Sequence, residues 1–222
     1  MIEAAIFDMD GLLIDSEPFW RKSHIAAVAE HGVSITEDDV RRMAGRRTDE
    51  VVRHWRDIYN LKHVPNETLE MDVVGRVIEE IQCNGRALPG VGNLMTLFKK
   101  RHVPIAVASS SSPEVIEAVL SKLKLSDHIQ LSCSAKHEAF GKPHPGVFIT
   151  AALKLGVDAA RCIVFEDSLN GVRAAKAARM KCVAVPEAAN LKKPEFYTEA
   201  DLVVPSLKQL NWTTLSKLFK HA

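Results

Sequence analysis

The stretch AAIFDMDGLLIDSEPFW, Ala4 to Trp20, begins as an apolar run and then places two aspartates, Asp8 and Asp10, one residue apart. In an extended strand residues i and i+2 share a face, so the two carboxylates converge at the strand end while Met9 turns away. Converging carboxylates repel each other unless something is shared. A hard cation held by oxygens would relieve the repulsion, and Gly11 lets the backbone bend directly after the pair. Taken alone, the pair also fits a solvated Asp-Gly turn.

Further along the chain, AAIFDMD is followed by five more β-rich runs: VPIAVAS, IQLSC, RCIVFED, KCVAVP and DLVVP. Several are separated by helical patterns such as EVIEAVLSKLKL and PGVFITAALKLG, an alternation that predicts a parallel sheet flanked by helices. The first interval breaks the rhythm, because about 75 residues separate the opening strand from the helix near PGVGNLMTLFKKRH, far more than a crossover needs. That interval, charged and helical in period, is expected to form a small helical domain over 15–84. The sheet domain would then comprise 1–14 and 85–222, with hinges near Ile14 to Glu17 and Cys83 to Leu88.

In open parallel sheets ligands bind beyond the carboxyl ends of the strands. The second strand ends in VASSSSPEVI, where Ser112 is a plausible N-cap and Pro113 suits the first helical position. Ser109 and Ser110 precede that cap, where hydroxyls and free N–H groups can hold an anion, although such a run is also an ordinary capping signal. RCIVFEDSLNGV again puts two acids, Glu166 and Asp167, at a strand end; alone, Asp167-Ser168 reads as a helix start. In AFGKPHPGVF, Lys142 stands between Gly141 and Pro143, whose restricted backbone would place its ammonium as a partner for phosphate or carboxylate.

Composition narrows the classes. The 222 residues carry a net charge of +1, which offers no global pull toward nucleic acid or membrane. Cys83, Cys133, Cys162 and Cys182 form no CxxC pair, which predicts buried reduced thiols and a cytoplasmic address. The chain enters a strand within a few residues, which argues against a signal peptide, and no apolar run approaches the ~20 residues of a membrane span.

The ordered string of DxD-G, a strand ending in serine, G-K-P-x-P, and a strand ending in E-D-S-x-x-G resembles the haloacid dehalogenase-like hydrolase superfamily across essentially the full chain. The helical segment after the first motif looks like the mobile cap of its helical-cap subgroup. The likeness is greatest to sugar-phosphate phosphatases acting on 2-deoxyglucose 6-phosphate and hexitol phosphates, with β-phosphoglucomutase as a cousin. The resemblance implies a Rossmann-like α/β core with an inserted α-helical cap domain, and hydrolysis through an aspartyl-phosphate.

On that resemblance Asp8 is the nucleophile, which as a carboxylate ionised at pH 7 needs no base. Asp10 would protonate the leaving alkoxide and then activate water, a role haloacid dehalogenases lack because halide leaves without a proton. Mg²⁺ would be held by Asp8, the Asp10 backbone carbonyl and Asp167, with Glu166 in or next to that shell. Ser109, the Ser110 backbone and Lys142 would stabilise the transferring phosphoryl oxygens. Gly45 and Arg47, in MAGRRTDEVV, match the cap loop that closes over the leaving group; Arg47 is the expected substrate contact and Arg46 a solvated neighbour. His24, His54 and His63 are expected to be surface or packing residues.

The expected partner is a small phosphorylated sugar, with neither nucleic acid nor membrane, and the expected state a monomer. Two other functions fit parts of the pattern. A phosphosugar mutase shares all four motifs, but its acid–base aspartate is coupled to the cap through a histidine where this chain has Trp20, which is expected only to pack the cap. A non-enzymatic Mg²⁺-binding receiver-like domain also uses an aspartate at a strand end and a distant lysine, but needs neither lid nor Asp10.

Overall fold

The computed structural model describes residues 1–220. Its centre is a six-stranded parallel sheet of β1 (Ala4–Phe7), β2 (Ile105–Ser109), β3 (Leu131–Ser134), β4 (Cys162–Glu166), β5 (Lys181–Ala184) and β6 (Leu202–Val203). The strands run in the order β3-β2-β1-β4-β5-β6. All six strands expected from the sequence are present, and β1 sits centrally with β2 and β4 on either side. Its continuous apolar run is explained by burial on both faces: Ala5 and Phe7 enter one core cluster, Ala4 and Ile6 the other. Phe7 stacks on Phe165 of β4 at 4.5 Å between ring centroids, which ties together the two strands whose ends carry the acids.

Of the five helices between β1 and β2, the first four are α1 (Glu17–Ala29), α2 (Glu37–Arg41), α3 (Thr48–Ile58) and α4 (Asn66–Asn84). They pack on one another, with α4 against both α1 and α3, and bury Val51, Val52, Trp55, Val73, Val77 and Ile81 in the contact. The two chain crossings at the root of this insert lie side by side. Ile14 bridges Ala87, and Leu88 N–H donates to Leu13 O at 3.0 Å. The remaining helices are α5 (Val91–Lys100), α6 (Pro113–Lys122), α7 (Gly146–Leu155), α8 (Leu169–Ala177), α9 (Pro194–Glu199) and α10 (Trp212–Lys217).

Three of the four cysteines are buried free thiols as expected; Cys83, at the end of α4, is exposed. Among the described residues no helix is long and apolar enough to cross a membrane.

Candidate active site

The apolar strand ends at Phe7, one residue before Asp8, so the i, i+2 rule lapses where it was applied. Beyond it the chain turns tightly: Leu12 and Leu13 N–H both donate to Met9 O, and Gly11 takes a φ of +73°. Only glycine fits there, since a Cβ would sit 2.3 Å from Asp167 Oδ2 and the backbone lies in the left-handed region. The turn sends the two aspartates to different neighbours. Asp8 faces Lys142, whereas the Asp10 carboxylate turns toward α1 and the β2 end. The expectation that the two carboxylates converge is thereby corrected.

The acidic cluster consists instead of Asp8, Glu166 and Asp167, which offer oxygens all within 4.8 Å of one another. Lys142 is inserted into it, its Nζ donating to Asp8 Oδ1 at 2.5 Å, Glu166 Oε1 at 2.6 Å and Ala108 O at 3.2 Å. Glu166 is fully buried, and its second oxygen accepts from Ser168 N at 3.2 Å and Ser168 Oγ at 3.0 Å. It therefore serves first as the anchor of Lys142. Ser168 also accepts from Gly171 N as the N-cap of α8, so the Asp167-Ser168 pair is both a helix start and part of the acidic site.

Three carboxyls against one ammonium leave a surplus of negative charge in a buried place. Burial, with Glu166 and Asp10 adding repulsion against the pull of Lys142, raises Asp8 to about 8. Burial likewise raises Asp167, with Glu166 and Asp8 adding to it. Burial would lower Lys142, but the carboxylates of Asp8 and Glu166 outweigh it and keep the ammonium protonated. Burial and the neighbouring acids thus weigh against the ionised form of Asp8, and a further cation beside it would favour that form. An all-oxygen donor set with excess charge suits a hard divalent ion, which passes the chemical test for a magnesium-type site.

The Asp10 carboxylate is held by donors from three segments. Ser16 Oγ and Trp20 Nε1 donate to Oδ1 at 2.5 and 2.9 Å, and Ser111 Oγ donates to Oδ2 at 2.6 Å. Ser109, predicted from the sequence, lies farther off at 3.5 Å and accepts from Ser111 N at 3.1 Å. Ser111 and Ser16 were not singled out in the sequence. Trp20 does more than pack, because its indole N–H carries a hydrogen bond from α1 of the insert to Asp10. Ser112 occupies the N-cap position of α6, but its side chain makes no capping bond.

Asp8, Asp10, Lys142 and Asp167 open into one cavity whose opposite wall is the insert, including Glu17, Trp20, His24, Gly45 and Arg46. Ser109 at the end of β2 and Ser110 just beyond it line the cavity, and Ser110 Oγ donates to Gly45 O at 2.9 Å, so the expected contacts Ser110 and Gly45 meet each other across it. His24, expected as a surface or packing residue, lies on this wall, stacked near the Trp20 ring with its Nδ1 buried and unpartnered. Burial lowers its imidazole to about 4, so it is neutral at pH 7. Glu17 is raised to about 7 by burial and by the Asp10 charge. Glu17, Trp20 and His24 are spaced i, i+3, i+7 along α1, and that one-face spacing next to a DxD pair is the signal that could have found them.

The two arginines lie differently relative to the cavity. Arg46 is exposed and lines the cavity. Arg47 is absent from its lining: its guanidinium grips Asp49 through Nε at 2.9 Å and Nη2 at 2.6 Å, and Nη1 donates to Glu138 O at 2.9 Å. Asp49 lies two residues on, in the first turn of α3, and draws the side chain away from the cavity.

A family model for haloacid dehalogenase-like hydrolases matches residues 2–179. Hexitol phosphatase B of Escherichia coli (strain K12) is 37% identical over 210 residues, covering 94% of this chain and 94% of that protein. Fructose-1-phosphate phosphatase YqaB of the same organism is 29% identical over 180 residues, covering 81% of this chain and 94% of that protein. Among solved structures, the β-phosphoglucomutase of Clostridium difficile aligns with a TM-score of 0.85 at 27% identity, covering 99% of this chain and 97% of that one.

Proposed function

Since the chain belongs to the haloacid dehalogenase-like hydrolases, we propose that it hydrolyses phosphomonoesters of small sugars or hexitols through an aspartyl-phosphate, with Mg²⁺ as cofactor. The observation that carries this reading is the separation of the two aspartates: Asp8 sits in the acidic cluster with Lys142, Asp10 among Ser16, Trp20 and Ser111, and both face one cavity.

Asp8, Asp167 and the Asp10 carbonyl would hold the metal, with Glu166 beside them. Bound there, the dication would neutralise carboxylate–phosphate repulsion and favour the ionised form of Asp8. Asp8 attacks phosphorus, the ester P–O bond breaks, and Asp10 gives its proton to the departing alkoxide. Asp10, now a carboxylate, takes a proton from the water that cleaves the acyl phosphate and releases inorganic phosphate. Lys142, Ser109 and the Ser110 backbone offer positive charge and donors to the phosphoryl oxygens. The leaving group meets the insert, where Glu17, His24 and Arg46 can bind hydroxyls.

Residues 15–84 are the cap and 1–14 with 85–222 the core in this proposal, and the paired crossings at Ile14 and Ala87 are the hinge. The protein is taken to act as a cytoplasmic monomer. Phosphate release across a panel of sugar and hexitol phosphates, scored by kcat/KM with and without EDTA, tests the reading. We expect EDTA to silence turnover and Mg²⁺ to restore it without any requirement for zinc. No hydrolysis of any phosphomonoester would overturn the function, and full activity after exhaustive chelation would remove the metal.

The fold likeness to a β-phosphoglucomutase supports a second reading. With β-glucose 1-phosphate as substrate and β-glucose 1,6-bisphosphate as primer, we expect phosphate release to exceed isomerisation; the opposite order would establish the mutase.

A further inference from the structure

We infer that Arg47 is a positioning residue, a strut from the insert to the segment that carries Lys142, and not a substrate ligand. Arg47 precedes α3 in the N-cap position, and its side chain is only 14% exposed. One edge of the guanidinium is closed by the bidentate pair with Asp49, with Glu50 Oε1 at 3.6 Å from Nε. Its remaining terminal nitrogen, Nη1, points across to the sheet domain, where Glu138 O accepts at 2.9 Å and Ala135 O at 3.4 Å. All three nitrogens are therefore engaged. A planar fork with one edge fixed on a carboxylate presents its last donor in a fixed direction, which a flexible ammonium could not do.

The carbonyls that Arg47 holds belong to the short turn at Ala135–His137 and the residue after it. Four residues beyond Glu138 comes Lys142, the cation of the acidic cluster. The aliphatic stem of Arg47 also lies against the glycine just before that lysine: a Cβ on Gly141 would meet Arg47 Cγ and Cδ at 3.1 Å and Glu50 Oε1 at 3.1 Å. A second link between insert and the same turn runs from Lys136 Nζ to Glu70 Oε1 at 2.7 Å. Insert and turn thus meet through the side chains of Arg47 and Lys136, and docking of the insert would set the backbone from which Lys142 reaches Asp8. The cavity wall that a leaving group would meet carries Arg46 and not Arg47.

The kinetic arm of the test rests on the phosphomonoesterase reading; the structural arm does not. Arg47→Ala, Arg47→Lys and Asp49→Ala are compared with the wild type using p-nitrophenyl phosphate and a hexitol phosphate, which share a phosphoryl group and differ in leaving group. Displacing Lys142 harms the shared part, so kcat should fall for both substrates by a similar factor, roughly 10- to 100-fold in Arg47→Ala, with little change in KM. Arg47→Lys should recover only part of the loss, and Asp49→Ala, which frees the fork, should follow the same pattern more weakly.

In the protein without substrate, amide hydrogen exchange over 135–141 should quicken in Arg47→Ala, and in Arg47→Lys if the alanine variant does not fold. A rise in KM confined to the hexitol phosphate, with kcat for p-nitrophenyl phosphate unchanged, would make Arg47 a substrate ligand and overturn the strut. Unchanged exchange over 135–141 would overturn it as well. If the wild type cleaves neither ester, the functional reading falls and the exchange measurement still decides the strut.

Discussion

Lys142→Met is the substitution whose consequence the geometry determines most closely. Methionine keeps an unbranched side chain and removes the ammonium, which lies over the Phe148 ring, 2.5 Å from Asp8 and 2.6 Å from Glu166, at 1% side-chain exposure. Removing one partner of a buried ion pair costs about 3–5 kcal/mol, because the other is left charged and unpaired. Two opposing effects set the place within that range. Two carboxylates lose their partner here, which pushes upward. Burial, which raises Asp8, favours its protonation once the ammonium is gone, which relieves the repulsion and pulls the expectation to the lower end, about 3 kcal/mol.

For a chain of 222 residues each kcal/mol moves the melting temperature by about 2–4 °C, so Tm should drop by about 6–12 °C. The assay is thermal unfolding followed by circular dichroism at pH 7, first in EDTA and then in excess Mg²⁺. A dication in the cluster substitutes for the missing positive charge, so Mg²⁺ should raise the Tm of the variant more than that of the wild type. A variant that melts within about 1 °C of the wild type in EDTA would refute the electrostatic account of the cluster.

Asp8→Asn keeps the side-chain shape but is a poor nucleophile and metal ligand, so turnover should vanish while the circular dichroism spectrum stays native; Mg²⁺-dependent turnover by the folded variant would take the nucleophile role from Asp8. Trp20→Phe deletes one donor to Asp10 Oδ1 and leaves Ser16 on the same oxygen. A hydrogen bond to a charged group contributes about 1.5–3 kcal/mol, and with one donor remaining we expect the lower end, about a tenfold fall in kcat/KM. Wild-type kinetics in that variant would return Trp20 to a packing role. Burial lowers the His24 imidazole to about 4 in the folded chain, against about 6.5 for a free histidine. The unfolded chain therefore binds a proton that the folded chain refuses between those pH values, and stability is lost as pH falls through that window, by up to about 3 kcal/mol. Glu17, raised to about 7, acts in the opposite direction, so the check is the difference between wild type and His24→Gln in urea midpoints at pH 7 and 4.5. Parallel losses in the two proteins would dismiss the histidine as the source.

The sequence by itself determined the elements and the chemistry gathered at their ends. A parallel strand covered on both faces must be apolar throughout, so AAIF, IAVAS and CIVFE announce themselves, and the polar residues that follow each run fall at the same edge of the sheet whatever the strand order. The long interval after β1 marked the helical insert by length and period alone. Direction of side chains was another matter. Asp10 could be read as facing Asp8 only while the strand was taken to continue; a turn closed on Met9 O and opened by Gly11 sends it to Ser111 and Trp20 instead. Arg46 and Arg47 are indistinguishable as neighbouring cations in a loop, and only the position of Asp49 and the carbonyls of Ala135 and Glu138, far away in sequence, decides which one turns from the cavity. His24 is an ordinary helical histidine until the packing of α1 over the strand ends buries it on the cavity wall. Apolar periodicity is a local property that a few neighbouring residues establish, whereas the partner of a charge is set by whichever distant segment folding brings within hydrogen-bond reach, and that is what the tertiary structure decided here.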